Sequence, residues 1–410
     1  MAWTLSVRRR LLVPFLAVLV TAGLLLGYRA HVLPEEGVVI SPPSMPFTTP
    51  IPEAKPAVEI FPAAIEGRIP QILAANQPPK SHHPTPLFIG FTRNWPILQQ
   101  SVVSYIAAGW PPVDIYVVDN TGTMDSNELG LLSLQNPFFI DYPRLRALGV
   151  NIITAPTLLS FAQLQNFFLY TAIRKKWRHY YWSHMDSAVL SEEEKQPYKS
   201  LYQRIIENWN SMNEAERWAI KFFAYDRLAL VNVAAYKDVG GWDTHIPFYS
   251  TDCDFHARLH MKNYTTTDQN VGHIFDVGGT VPDLSVFYPE TPNEPLNSER
   301  FRSLHKLLDD IQRSKGDAKY GRNLWQAEQR GGKGEPFYRN PVVSISILCS
   351  TDLRKLTFSE NTQGFEKAIR HWIKTGRAIF AEKWGHRDCD IWEIRKEIDK
   401  AWEYKKDWWV

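Results

Sequence analysis

The chain of 410 residues carries 46 Lys and Arg against 44 Asp and Glu, which gives a net charge of +2, and 44% of its residues are apolar. This balance is typical of a globular protein and gives no reason to expect a nucleic-acid partner. Three cysteines are too few for a disulfide-dense scaffold, and the length leaves room for about two domains.

The first feature along the chain is an uncharged stretch at 11–28 that follows three arginines at positions 8–10. As a helix it would span about 27 Å, close to the thickness of a thin bilayer. We predict a membrane anchor, with a cytoplasmic tail at 1–10 and the remainder luminal or extracellular. A cleaved signal peptide is the alternative, although its apolar region usually covers only about 7 to 15 residues.

A proline-rich segment follows the predicted anchor. Between Pro34 and Pro86 lie 13 of the 28 prolines, without sustained helical or strand periodicity. This composition is typical of an extended spacer. We therefore predict a disordered stalk at 29–86 and a folded domain that starts at Leu87.

Strand and helix patterns alternate from Leu87 onwards. Predicted strands lie at 87–91, 113–119, 150–154, 180–185 and 228–234. One predicted helix covers 96–108, and another covers 252–260. A third begins at a capping box of Ser160 and Gln163, and a fourth lies in a polar region at 200–224. Residues 291–410 read as a mainly helical extension. The alternation predicts an α/β fold with a mostly parallel sheet covered on both faces.

Two predicted strands end in an aspartate, Asp119 and Asp186. Ligands of an open parallel sheet bind beyond the carboxyl ends of its strands, so both side chains are expected at one edge. A carboxylate there can accept hydrogen bonds from a ribose or hold a hard divalent cation. For either residue alone, a turn or helix-cap role is the alternative.

Four segments carry a resemblance to a known family. They are Phe88–Asn94, Ile115–Asp125, Trp182–Ser187, and the pair of Gly240–Asp243 with Tyr249–Leu259. In order and spacing, the chain from about 87 to 273 resembles glycosyltransferases of the GT-A fold, particularly the family 2 type that uses nucleotide-diphosphate sugars. The resemblance implies a GT-A catalytic domain at 87–290.

The resemblance also implies roles for individual residues. The implied nucleotide-binding residues are Thr92, Arg93, Asp119 and Asn120, and the implied metal ligands are Asp186, His184 and His273. The implied acceptor loop contains Gly241, Trp242 and Asp243. The implied catalytic acids are Asp252 and Asp254. A Mn²⁺ or Mg²⁺ ion would neutralise the leaving diphosphate. Asp252 would take the proton of the acceptor hydroxyl as that oxygen attacks the anomeric carbon, which inverts the anomeric centre.

Asp254 and the metal motif each have an alternative interpretation. Asp254 would substitute for Asp252 if the register were shifted, and helix capping is the alternative for both. His184 stands where the metal motif has its first Asp, so the motif keeps one carboxylate; histidine binds Mn²⁺, and a weak or metal-independent site is the alternative. Thr251 stands where a Glu usually precedes the base.

Other residues have structural alternatives. His273 reads equally well as a buried histidine bonded to a carbonyl, and Trp242 as a core residue. Arg93 and Lys237 are candidates for contacts with the nucleotide or its phosphates, and a solvated surface charge is the favoured alternative for each. Gln163 and Asn166 fall near positions that line the donor pocket in the resemblance, although Gln163 already has a role as a cap.

Two further patterns agree with a luminal domain. In an oxidising lumen, Cys349 can pair with Cys389 and leave Cys253 free. Asn263 begins the N-glycosylation sequon Asn-Tyr-Thr.

The leading hypothesis is a type II membrane-anchored glycosyltransferase of the Golgi apparatus or endoplasmic reticulum, which transfers a sugar from a nucleotide-diphosphate donor to a glycan, protein or lipid acceptor. The alternative is a catalytically inactive relative that binds a glycan or a partner. A dinucleotide-binding oxidoreductase is disfavoured because no Gly-x-Gly-x-x-Gly turn follows the first strand.

Overall fold

The computed structural model describes residues 70–79, 84–211, 216–320 and 359–408, without the side chains of 315–320 and 359–366. The predicted tail and anchor, the stalk up to residue 69, and Cys349 lie outside the described residues. Within those ranges, every helix lacks either the length or the apolar character that crossing a bilayer requires.

The described strands are β1 (Leu87–Phe91), β2 (Ile115–Asp119), β3 (Asn151–Thr154), β4 (His179–His184), β5 (Ser187–Leu190), β6 (Trp218–Ala224), β7 (Leu228–Asn232), β8 (Thr265–Asp268) and β9 (His273–Asp276). The described α-helices are α1 (Trp95–Ala107), α2 (Tyr142–Ala147), α3 (Phe161–Arg174), α4 (Leu201–Asn210), α5 (Val233–Asp238), α6 (Thr251–Met261), α7 (Glu299–Tyr320) and α8 (Ser359–Trp384).

Seven strands form a central sheet in the order β3-β2-β1-β4-β7-β6-β8. β7 runs antiparallel to both of its neighbours, and the other pairs are parallel. The predicted α/β class with a mostly parallel sheet is confirmed. The order 3-2-1-4 reverses direction between β1 and β4, which is where open sheets of this kind form a ligand crevice.

Alternating side chains of the strands feed two cores, one on each face of the sheet. On β1, Leu87, Ile89 and Phe91 enter a core that includes residues of α1, α4 and α7. Phe88 points to the opposite face, where its ring stacks on Phe168 of α3 at 4.8 Å between centroids. This two-sided burial explains why the strands are continuous apolar runs rather than alternating ones.

A separate two-stranded ribbon of β5 and β9 leaves the carboxyl end of β4. Its antiparallel register pairs Ser187 with Asp276 and Leu190 with His273. The sequence predicted neither strand. The ribbon therefore places Asp276 beside Ser187, the residue that follows Asp186 in the sequence.

Two predicted boundaries are corrected. Trp218–Ala224 is strand β6 rather than part of a helix, because its nearly continuous apolar run is buried on both faces of the sheet. The folded part also starts before Leu87: Leu73 is buried, and the Asn76 side-chain amide donates to the Ala107 carbonyl at 2.9 Å. Residues 70–79 therefore pack against the domain instead of extending as a stalk.

Two helices of the C-terminal region pack onto the sheet and its flanking helices. α7 supplies Phe301, Leu304 and Leu308 to the first core. The last turns of α8 bury Phe380 and Trp384 together with residues of α6 and its preceding loop. α8 is therefore part of the wall around α6.

Candidate active site

A cavity of about 330 Å³ lies beyond the carboxyl ends of β1 and β4. Its volume falls within the range of small-molecule sites. One wall is apolar and comes mainly from α3 and the loop before it. The lining also includes four carboxylates, those of Asp186, Asp226, Asp252 and Asp276. We call these four residues and the cavity the acidic pocket.

The loops after β1 and β2 form the end of the pocket where a nucleotide is predicted. Thr92 and Asn120 line the cavity. The Asn120 side chain accepts from the Leu159 amide at 2.8 Å and donates to the Leu159 carbonyl at 3.0 Å. These bonds fix the loop before α3 against the sheet edge.

Asp119 lies behind this loop and does not line the cavity. Its carboxylate is buried and accepts hydrogen bonds from the Thr121 hydroxyl (2.6 Å), the Asn127 amide (3.2 Å) and the Tyr142 hydroxyl (3.0 Å). In this conformation Asp119 organises the turn that presents Asn120. A direct contact between Asp119 and a nucleoside would require one of these bonds to be given up.

Arg93 is 1% exposed, which corrects its prediction as a solvated surface charge. Lys237, the other predicted surface charge, is exposed as expected.

The predicted metal ligands separate into two places. His184 and Asp186 both line the acidic pocket, with 3.7 Å between His184 Nδ1 and Asp186 Oδ1. His273 is three residues away from Asp276 on β9, roughly 10 Å along the strand. The pocket residue on that strand is Asp276, which the sequence prediction missed.

His273 lies in a second cluster at the far end of the ribbon. Its Nε2 lies 2.7 Å from Glu194 Oε1, and its ring contacts His305 at 4.5 Å between centroids. Glu192, Glu194 and His273 form the one group in the described ranges that brings three potential metal ligands within 4.8 Å of one another. Glu192 already has cationic partners, with Lys195 Nζ at 2.6 Å and Arg204 at 3.4 Å.

Asp252 lies at the start of α6 and lines the acidic pocket. It is partly exposed, and its Oδ2 accepts a hydrogen bond from the Tyr225 hydroxyl at 3.2 Å. Burial together with the nearby Asp252 and Asp226 raises the pKa of Tyr225, so the phenol remains a donor. Burial also lowers the pKa of His256, one turn further along α6, to about 4. His256 is therefore neutral at pH 7.

Asp254, two residues later, has no access to the pocket. It is fully buried and lies 2.8 Å from Arg258 Nε and 2.7 Å from Lys383 Nζ, and it accepts from Trp384 Nε1 at 2.9 Å. Its predicted role as a substitute base is corrected, because every approach to the carboxylate is occupied.

Asp243 shares Lys383 with Asp254, at 2.7 Å from the same Nζ atom. Burial would raise the pKa of Asp243, but the contact with Lys383 outweighs it and lowers the pKa to about 2. We call Asp243, Asp254, Arg258 and Lys383 the buried ion cluster. Asp243 is thus a structural residue rather than an exposed acceptor contact.

The remaining residues of the predicted acceptor loop are also structural. Trp242 is 3% exposed, and its ring stacks on Phe255 with centroids 4.4 Å apart. Gly241 has a φ of +71°, and a Cβ there would lie 2.7 Å from Asn166 Oδ1. Asn166 itself bonds both backbone groups of Trp242 at 2.8 Å, so it holds the loop and does not line the pocket.

The disulfide of the described structure joins Cys253 to Cys389. This corrects the predicted pairing of Cys349 with Cys389. The bond connects α6, at the residue after Asp252, to the C-terminal segment. Asn263, the predicted glycosylation site, is exposed in the turn that follows α6.

Four residues that line the pocket bury a polar atom without a hydrogen-bond partner in the described structure. These atoms are Gln165 Oε1, Trp182 Nε1, His184 Nε2 and Thr251 Oγ1. Buried polar atoms normally find a partner. Their grouping beside one cavity is typical of a functional site.

Sequence reasoning missed Asp226, Tyr225 and Asp276. Asp226 and Tyr225 lie in the turn between β6 and β7, beside β4, where the Arg227 carbonyl accepts from the His184 amide at 3.2 Å. The sequence feature that could have identified them is a polar turn between two apolar runs, which is typical of a hairpin. The prediction of a helix over 200–224 concealed this feature.

Neither a protein-family model nor a curated protein sequence matches the chain. Similar solved structures include a cytidylyltransferase from Leptospira borgpetersenii, at 9% identity and a TM-score of 0.36, over 56% of this chain and 98% of that one. The mannosyltransferase PcManGT from Pyrobaculum calidifontis, in complex with GDP-Man and Mn²⁺, is 13% identical with a TM-score of 0.33, over 77% and 90%. S. aureus TarS is 10% identical with a TM-score of 0.32, over 74% and 56%. These TM-scores are too low to assign a fold, so the fold class rests on the strand order described above.

Proposed function

We propose that the protein is a glycosyltransferase that moves a sugar from a nucleotide-diphosphate donor to an acceptor hydroxyl. The observation that carries the proposal is the acidic pocket at the reversal of strand order, where Asn120, Asp186 and Asp252 meet although they are far apart in the sequence. Helix and strand geometry alone does not require these polar groups to share a cavity.

The nucleotide would lie beside Thr92 and Asn120, at the carboxyl ends of β1 and β2. The diphosphate would then reach β4, the next strand after β1 in the sheet. The neighbouring apolar wall from α3 favours a flat base or sugar face rather than bulk water.

We propose that a divalent cation binds at the end of β4, where the potential ligand atoms would have to move closer together than they are in this conformation. Asp186 and Asp276 offer oxygen ligands of the kind that Mg²⁺ and Mn²⁺ prefer, and the unpartnered Nε2 of His184 offers a nitrogen that suits Mn²⁺ better than Mg²⁺. When bound, the ion would supply positive charge against the leaving diphosphate.

Asp252 is the proposed base. Its carboxylate takes the proton from the acceptor hydroxyl, the acceptor oxygen forms the new bond to the anomeric carbon, and the bond to the diphosphate oxygen breaks. Attack from the face opposite the diphosphate inverts the anomeric centre. Tyr225 holds the carboxylate in place through its hydrogen bond.

The membrane anchor at 11–28, the luminal orientation and the residence in the Golgi apparatus or endoplasmic reticulum remain parts of this proposal. The disulfide between Cys253 and Cys389 supports an oxidising compartment, and the exposed sequon at Asn263 agrees with it.

The test is a panel of nucleotide sugars with the full-length chain and Mn²⁺, scored by mass spectrometry of the released nucleotide with and without a chelator. We expect one donor to be hydrolysed or transferred well above the others, and chelation to reduce its turnover. No turnover of any donor, with at least one donor bound, would favour the alternative of an inactive binding protein, to which His184 in the metal motif lends support.

A further inference from the structure

The C-terminal segment at 359–408 reaches the acidic pocket directly. Ile369 and Trp372 of α8 line the cavity. α8 approaches the loop before α6 so closely that a Cβ on Gly376 would lie 2.7 Å from the Tyr249 carbonyl oxygen. The Arg377 guanidinium lies 5.2 Å from the centre of the Tyr249 ring.

Strong contacts hold this segment against α6. The Cys253–Cys389 disulfide and the Lys383 contacts with Asp243 and Asp254 join α6 and its preceding loop to the end of α8 and the turn beyond it. Trp372 is therefore fixed relative to Asp252, as residues that bind a ligand must be.

Three aromatic side chains line the cavity that contains Asp252. Tyr225 is 51% exposed and donates to Asp252, while Tyr249 and Trp372 are partly exposed and line the same cavity. Unlike the buried Trp242, these rings have free area for a ligand.

This end of the pocket is far from the predicted nucleotide end. Asn120 follows β2, whereas Tyr225 lies between β6 and β7, three to four strands across the sheet. At about 4.8 Å per strand, the separation is roughly 14–19 Å. A ligand group that binds beside Tyr225 is therefore not the nucleotide of the donor, and it belongs to the donor's sugar or to the acceptor.

We propose that Trp372, Tyr249 and Tyr225 form an acceptor subsite that binds a neutral sugar ring by stacking, with one sugar hydroxyl directed at Asp252. The proposal rests on the glycosyltransferase function proposed above. A sugar ring offers apolar C–H faces to aromatic rings and hydroxyls to carboxylates. A long lipid chain would meet Asp226, Arg227 and Asp252 without compensation. Because Arg227 and Arg377 offset the two aspartates, this end of the pocket carries no excess positive charge that would select an acidic sugar.

The test compares Trp372→Leu, which removes the flat ring, with Trp372→Tyr, which keeps one. Trp392→Leu is the matched control, since Trp392 is 44% exposed on the same segment and does not line the pocket. The probes are methyl α-mannoside, lactose and N,N′-diacetylchitobiose, titrated by ligand-observed NMR onto the full-length chain. Farnesol represents a lipid alcohol.

We expect at least one glycoside to bind the wild type, and Trp372→Leu to weaken that binding about five- to ten-fold. Trp372→Tyr should retain it within about two-fold, and Trp392→Leu should leave it unchanged. The affinity for a nucleotide sugar should not change in Trp372→Leu. If that variant does not fold, Tyr225→Leu removes a second ring of the same subsite and should weaken glycoside binding likewise.

Binding of farnesol but of no glycoside, an equal loss in Trp372→Leu and Trp372→Tyr, or an equal loss for glycoside and nucleotide sugar would each overturn the subsite. Glycoside binding is measured without turnover. An inactive chain that shows the stacking effect would thus reject the proposed transferase while the subsite stands, and an active chain without the effect would reject the subsite alone.

Discussion

Asp252 and Asp254 are two residues apart on α6, yet they belong to different regions of the molecule. Asp252 is partly exposed in the acidic pocket beside the Tyr225 hydroxyl. Asp254 is fully buried in the ion cluster, between Arg258 and Lys383. Because residues two apart on a helix face different sides, one turn presents one acid to the pocket and the other to the core. An acid that lines a cavity is available for the proposed chemistry, whereas an acid enclosed by buried cations contributes to stability.

The largest expected effect on stability follows from Asp254→Asn. The substitution keeps the shape of the side chain but leaves Arg258 and Lys383 buried without a full counter-charge. Breaking a buried pair in this way costs about 3–5 kcal/mol, so the free energy of unfolding measured in urea should fall by that amount.

Asp238→Asn is the control for that experiment. Asp238 pairs with Lys262 at 3.2 Å on the surface, where solvent screens the interaction. Similar losses in the two variants would contradict the distinction between the buried ion cluster and surface pairs.

The second prediction separates the two ends of the β5–β9 ribbon. Asp276→Asn should weaken Mn²⁺ binding to the pocket about 10- to 100-fold, the usual cost of damaging a metal site, because Asp276 lies beside Asp186. His273→Gln, at the far end, should leave that affinity unchanged. Isothermal titration with Mn²⁺ measures both. A larger loss in His273→Gln would show that the cluster of Glu192, Glu194 and His273 holds the ion rather than the acidic pocket.

The third prediction concerns acid pH. The pKa of Asp243 is lowered from 3.8 to about 2 in the folded chain. Its contribution to stability is therefore complete above about pH 4 and is lost as the pH falls towards 2. In Asp243→Asn, the decline in unfolding free energy between pH 4 and 2 should be shallower than in the wild type. An unchanged slope would mean that the Lys383 contact does not control this titration.

The smallest expected effect is at His386, away from both regions. Burial alone would lower its pKa, but hydrogen bonds to Asp407 and Asp390 (2.6 Å) raise it. Its stabilising contribution is complete below its ordinary pKa of 6.5 and is lost as the pH rises through the folded value. His386→Asn should reduce the melting temperature slightly at pH 6 and still less at pH 8. A loss that grows with pH would contradict the sign.

The sequence was sufficient for the parts of the fold that depend on local pattern. β1, β2 and β4 are short apolar runs bounded by polar turns, and the capping box of Ser160 and Gln163 marks the start of α3 as predicted. The carboxyl-end rule for parallel sheets placed Asp119 and Asp186 at one edge, but only Asp186 lines the cavity, and the position of Asp252 was expected from the family resemblance alone.

The parts that it could not supply depend on contacts between distant segments. The burial of Asp254 requires Lys383, 129 positions later, and the pairing of Cys253 with Cys389 spans 136. The Gly-Gly loop suggested an exposed Trp242, but Phe255 stacks on its ring in the core. The apolar run at Trp218–Ala224 fits a helix or a strand equally well, and misreading it hid Asp226.

The most direct test of the central claim is the initial rate of transfer in Asp252→Asn, with the donor selected by the nucleotide-sugar panel and the free energy of unfolding measured in parallel. If Asp252 is the base, the rate falls about 10²- to 10⁴-fold while stability is unchanged. Equal rates in the wild type and the variant would show that the proton is taken elsewhere and that the acidic pocket does not act as proposed.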